Sequence, residues 1–120
     1  REWMSEQSGV PCVPVLLEVM RGKLRCSEFK AGDVFDLEEK VRVKTMLLCH
    51  ASGASGYRIE HRGKAVCYVT DTEHVPGKPD ENVLALIEGA DLVIYDSTYT
   101  EEEFPEKVGW GHSTWEEGIR

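Results

Sequence analysis

His50, Asp71, Asp96 and His112 share one placement in this sequence: each stands where an apolar, strand-like run or a glycine-bearing loop ends. Imidazole and carboxylate suit zinc, manganese or iron, and this mix of donors is harder than an all-thiolate site. A carboxylate at the end of a core strand is held by the strand, while the loop beyond leaves room for substrate. Read singly, the four are ambiguous. A histidine that follows an apolar strand, as His50 does, is more often a hydrogen-bonded structural residue than a ligand. Asp71, in Thr70-Asp71-Thr72, is divided between capping a turn and binding a metal. Asp96 leans towards tying the following loop by side-chain-to-backbone bonds. His112 stands just ahead of a helix N-cap. His61 and His74 are expected to be solvated, with His74 close to Asp71 in sequence.

Short strands must position these groups. Val66 to Thr70 reads as a buried strand that stops at Asp71. Before it, Val41, Val43 and Thr45 alternate with charged residues and close up into Met46-Leu47-Leu48-Cys49, a strand with His50 at its exit. Ala51 to Gly56 is a small-residue loop, Tyr57 to Glu60 a strand, and Arg62-Gly63-Lys64 a hairpin turn. Earlier still, Pro14 followed by Val15 to Met20 predicts a short helix closed near Gly22, and Lys23 to Phe29 an alternating strand. Ala31 to Asp33 turns, Val34 to Leu37 is a strand, and Glu38 to Lys40 turns again. Beyond Asp71, Asp80 predicts an N-cap for a helix with Val83, Leu84 and Ile87 at helical spacing, ended by Gly89. Ala90 to Asp96 reads as a second buried strand, Thr100 to Phe104 as one acidic helical turn, and Ser113 or Thr114 as the cap of a last helix. The order is antiparallel strands, then strand, helix, strand, helix.

The chain's 120 residues suit a single domain, and 41% hydrophobic with 30% charged residues is globular composition. The net charge of −8, with no run of Lys or Arg, argues against a direct nucleic-acid surface in this segment. No C-x-x-C spacing occurs among Cys12, Cys26, Cys49 and Cys67, and the last three read as small core residues. That usage fits a reducing compartment, and with no apolar run of membrane-spanning length the cytoplasm is the expected location. The chain opens without Met and closes on Ser113 to Arg120, which reads as a helix cut short, so a piece of a longer protein is expected.

Taken in order, several segments carry a resemblance. They are Leu48-Cys49-His50, Gly56-Tyr57-Arg58-Ile59-Glu60, Tyr68-Val69-Thr70-Asp71-Thr72, Ala90 to Thr98, and Gly111-His112-Ser113-Thr114. This set resembles the second half of metallo-β-lactamase-fold hydrolases, in the branch holding ribonuclease Z and the phosphoribosyl cyclic phosphodiesterases, from about Leu16 to the last residue. The resemblance implies an α/β (α+β) fold, the αβ/βα sandwich of the metallo-β-lactamase type, present over 1–120 as a partial domain. It implies two divalent transition-metal ions, zinc first and manganese or iron as alternatives. His50 then binds one metal and Asp71 bridges both. His112 lies beside the scissile phosphate as a catalytic group and not a ligand. Asp96 and Tyr95 stand where the family has Glu and His; Asp96 and Thr98 are expected to support the ligands from outside, and His74 joins them by its nearness to Asp71.

The family's His-x-His-x-Asp-His signature and its last ligand histidine are absent from these residues. The segment alone is therefore expected to be inactive, and the full-length protein to be a metal-dependent phosphodiesterase. A metal-bridged hydroxide is expected to attack phosphorus in a small-molecule or nucleotide-like phosphodiester. A different ester (lactone, thioester or sulfate ester) and a degenerate, non-catalytic partner-binding domain are the alternatives. Members of this family often dimerise, so a homodimer belongs with these expectations; no membrane partner does.

Overall fold

The computed structural model describes residues 27–120. Strands β1 (Val34–Leu37), β2 (Val41–Leu48), β3 (Ala54–His61) and β4 (Lys64–Val69) run antiparallel in sequence order. Helix α1 (Glu81–Ile87) then carries the chain over so that β5 (Leu92–Tyr95) lies parallel to β4. A final helical turn, α2, spans Trp115–Gly118. The helix predicted after Pro14, most of the strand from Lys23, and Cys12 and Cys26 lie outside the described residues. No helix among the described residues is long and apolar enough to cross a membrane.

Local chemistry explains most of these elements. The β3–β4 hairpin turns through Arg62 and Gly63, both at positive φ (49° and 75°), as a two-residue turn matched to strand twist requires. Asp80 caps α1 as expected, its Oδ1 accepting from the amides of Asn82 and Val83 at 2.9 and 3.2 Å. At the other end of α1, the Arg58 guanidinium reaches from β3 to donate to the carbonyls of Leu86 (2.9 Å) and Glu88 (2.8 Å). Those carbonyls have no partner within the helix, so Arg58 stitches α1 to the sheet.

The core lies between the sheet and α1, where Leu48, Cys67 and Val69 meet Val83 and Leu86. Several expectations are corrected here. Leu84 is 51% exposed and Leu86 takes the inward position, because this short helix lies on the sheet along Val83 and Leu86. Val66 to Thr70 is not buried on both sides: Ala65, Cys67 and Val69 face α1, while Tyr68 is exposed on the other face. β5 is likewise not buried. It is an edge strand with Leu92, Val93 and Ile94 all exposed, since β4 is its one neighbour in the described sheet. Ala54 to Gly56 belongs to β3 and not to the preceding loop, because it continues the ladder opposite Met46 to Leu48. Ser27 to Phe29 form no strand, and the turn predicted for Thr100 to Phe104 is followed by a 3-10 turn at Phe104–Glu106.

Candidate metal centre

The ends of β2 and β4 and the loop before α2 bring three of the predicted residues together. One ligand atom from each of His50, Asp71 and His112 lies within 4.8 Å of the other two. The imidazole rings of His50 and His112 are 6.0 Å apart, centre to centre, and inclined at 70°. His50 follows β2 by two residues, and its Nδ1 accepts from the Ser52 amide at 3.2 Å, with Ser52 Oγ 2.9 Å away. Asp71 follows β4 by two residues and adopts φ +56°, a left-handed conformation that Asp and Asn tolerate best among residues with a β-carbon. It is exposed at the rim. Beside His50 and Asp71, Tyr57, Tyr68, Ser55 and Thr70 line a cleft of about 400 Å³.

Asp96 is among the most buried polar residues, 4% exposed. Its own amide donates to Val69 O at 2.9 Å, extending the β4–β5 ladder and setting the carboxylate behind the centre. Oδ2 lies 2.9 Å from His112 Nδ1, and Oδ1 accepts from Thr98 Oγ1 at 2.7 Å. Burial pushes this carboxyl up, but hydrogen bonds from His112, Thr98 and the backbone of Ser113 and Thr72 outweigh it and hold it below the ordinary aspartate value. An ionised Asp96 requires Nδ1 of His112 to be the donor, which leaves Nε2 as the atom that faces the centre. The loop-tying role expected of Asp96 is present, through the Thr98 contacts. Orientation of His112 comes in addition.

His74 corrects another expectation: it is 9% exposed, not solvated. Its ring stacks on Phe104 at 4.2 Å, and both its amide (3.1 Å) and Nδ1 (3.2 Å) approach Ser113 Oγ. Ser113, fully buried, also donates to Thr72 O at 2.8 Å and lies 3.2 Å from Tyr95 Oη. A hydroxyl has one proton and two lone pairs, so it satisfies three of these four neighbours at once. It joins the loop after Asp71 to the residue after His112. Replacing it, Ser113→Ala, leaves Thr72 O and the His74 amide without that partner and is expected to lower stability by about 1–3 kcal/mol, read by denaturant unfolding. His61 is partly exposed and far along β3 from these residues, at the hairpin turn.

Cys49, read as a core residue, is exposed beside His50, whereas Cys67 is fully buried. Burial raises the Cys67 thiol pKa, against the pull of Arg58, so it stays a protonated, inert packing group. Thr114, and not Ser113, caps α2, accepting from the Glu117 amide at 3.2 Å. Sequence reasoning gave Glu73 no role and read Ser113 only as a candidate helix cap. The one visible trace of Glu73's role is the pair of glycines, Gly109 and Gly111, that flank Trp110.

The donor set fits a divalent transition metal. Zinc bonds to nitrogen and oxygen are about 2.0–2.2 Å, so donors on one ion sit roughly 3.3 Å apart. Groups within 4.8 Å reach that spacing by small side-chain rotations. Among solved structures, the chain is similar to the crystal structure of human tRNase Z, short form (ELAC1), with a TM-score of 0.53 and 23% identity. That similarity is one of fold. It covers 68% of this chain and 31% of that chain, so these residues span about a third of the protein they match. No curated protein matches the chain. Residues 7–120 match the family model described as "Beta-lactamase superfamily domain", and the chain belongs to that superfamily.

Proposed function

We propose that the full-length protein is a metal-dependent phosphodiesterase whose centre is built in part from His50, Asp71 and His112. The convergence of those three side chains at one rim of the sheet carries this reading. Superfamily membership and the tRNase Z-like fold support metal-dependent hydrolysis. His50 and Asp71 are two ligands where one catalytic zinc takes about three, so the metal pair needs further ligands and these 120 residues alone are expected to be inactive.

His50 and Asp71 would hold the cations, with zinc as the first choice. Bound there, divalent cations supply Lewis acidity and a lowered pKa for water. The chain's own contribution centres on His112. Its Nδ1–H is held by an ionised, buried Asp96, which fixes the orientation of the ring. Nε2 then either stabilises the phosphate or delivers a proton to the leaving oxygen. A nucleotide-like or small-molecule phosphodiester is the substrate class. The free thiols of Cys49 and Cys67 suit a reducing compartment, and the cytoplasm goes with this reading.

The test is a substrate panel run on the full-length protein and on His112→Ala. Hydrolysis of a generic phosphodiester is expected to fall by roughly 10²-fold or more, the lower end for loss of a general acid. Lactone, thioester and sulfate ester turnover should change far less. Equal losses on every ester, or a wild-type protein that cleaves lactones and not phosphodiesters, would reject the assignment.

A further inference from the structure

We infer that Glu73 is a positioning residue that ties together the segments carrying His50, Asp71 and His112. This extends the proposed metal centre and rests on it, but it arises from a different set of contacts. Glu73 stands two residues after Asp71. Its amide donates to the carbonyl of Cys49, the residue before His50, at 2.8 Å. Its carboxylate accepts from the amide of Gly109 (2.9 and 2.8 Å to the two oxygens) and from the amide of Gly111 at 2.8 Å, the residue before His112. One side chain and its own backbone therefore touch the immediate neighbour of each histidine.

The chemistry suits a clamp and not a further ligand. A carboxylate has only acceptor sites, and both oxygens of Glu73 already receive backbone N–H groups. Two amides converging on one anion form a small backbone nest, which Gly109 and Gly111, at φ +89° and +85°, make sterically easy. Charge-assisted bonds of this kind are roughly twice as strong as neutral ones. They act on a loop whose further anchors are local: Lys107 N to Phe104 O at 2.8 Å and Trp110 N to Lys107 O at 3.1 Å. Without Glu73, the stretch from Val108 to Gly111 loses its connection to the Asp71 loop at the point where Gly111 lies against the His50 ring. An ideal β-carbon on Gly111 would come within 2.2 Å of His50 Cδ2, which measures how closely the two segments approach.

The experiment compares full-length wild type, Glu73→Gln and Glu73→Ala. Metal affinity is measured by chelator competition, and the visible spectrum of the cobalt-substituted protein reports coordination. Glu73→Ala should bind 10–100-fold more weakly, the range for losing an outer partner of a metal site, with an altered cobalt spectrum. Glu73→Gln, which keeps one oxygen acceptor, should lie between. The metal-free proteins should melt within a few degrees of one another, which separates positioning from global destabilisation. A second readout needs no metal: an NMR cross-peak between the Gly111 α-protons and the His50 ring, present in wild type and lost in Glu73→Ala. Persistence of that cross-peak in Glu73→Ala, or wild-type affinity and spectrum in that variant, overturns the inference. If the wild type binds no metal, the proposed metal centre fails, and the cross-peak still decides the role of Glu73.

Discussion

Gly111→Ala is expected to reduce hydrolysis by the full-length protein to background and to weaken its metal binding. Gly111 is buried at φ +85°, and a β-carbon there would meet His50 Cδ2 at 2.2 Å and Nε2 at 2.6 Å. Real β-carbon contacts do not come that close, so the imidazole must rotate or the loop must withdraw. Either movement separates His50 from His112. Left-handed backbone adds about 1–2 kcal/mol for any residue with a β-carbon. Gly109→Ala isolates that second effect. Its φ is +89°, and nothing lies within 4 Å of the added carbon. Both variants should lose a similar amount of backbone stability in thermal unfolding, and Gly111→Ala should lose far more metal affinity than Gly109→Ala. Equal activity in the two variants would show that the close approach of Gly111 to His50 is irrelevant to the centre.

Removing the carboxylate of Asp71 should be as severe. Asp71→Ala combines two effects, loss of a ligand oxygen and the penalty of alanine at φ +56°. Asp71→Asn separates them, because asparagine tolerates that conformation and keeps the shape while discarding the charge. Both variants are expected to lose bound metal, measured by elemental analysis, along with hydrolysis of a generic phosphodiester. The loss should exceed the 10–100-fold typical for an outer partner of a metal site. The asparagine variant should unfold close to wild type, since Asp71 is exposed and contributes no buried contact. Undiminished phosphodiester hydrolysis in Asp71→Asn would remove the basis for the proposed function.

Local pattern alone yields much of this molecule. Alternation marks β2, Arg62-Gly63 marks the hairpin, and Asp80 marks the start of α1, because period, turn conformation and capping are decided by residues a few positions apart. The placement of His50 and Asp71 at strand exits is legible for the same reason. That they face a common centre with His112 depends on the β2–β3–β4 register and on the loops beyond, which local sequence does not encode.

Tertiary structure alone decided the rest. His74 looks like a solvent-facing loop residue in sequence. It is buried because Phe104, thirty positions away, stacks on it and Ser113 bonds to it. β5 has the apolar run of a buried strand and yet lies at an edge, since burial depends on neighbours and not on a strand's own hydrophobicity. The Asp96–His112 pair and the Glu73 clamp join residues 16 to 38 positions apart. No periodicity spans such gaps. They close only when the parallel β4–β5 pairing aligns two strand ends and a glycine loop folds back over them. The residue types that can do the chemistry are therefore written in the sequence, while their convergence is a property of the folded chain.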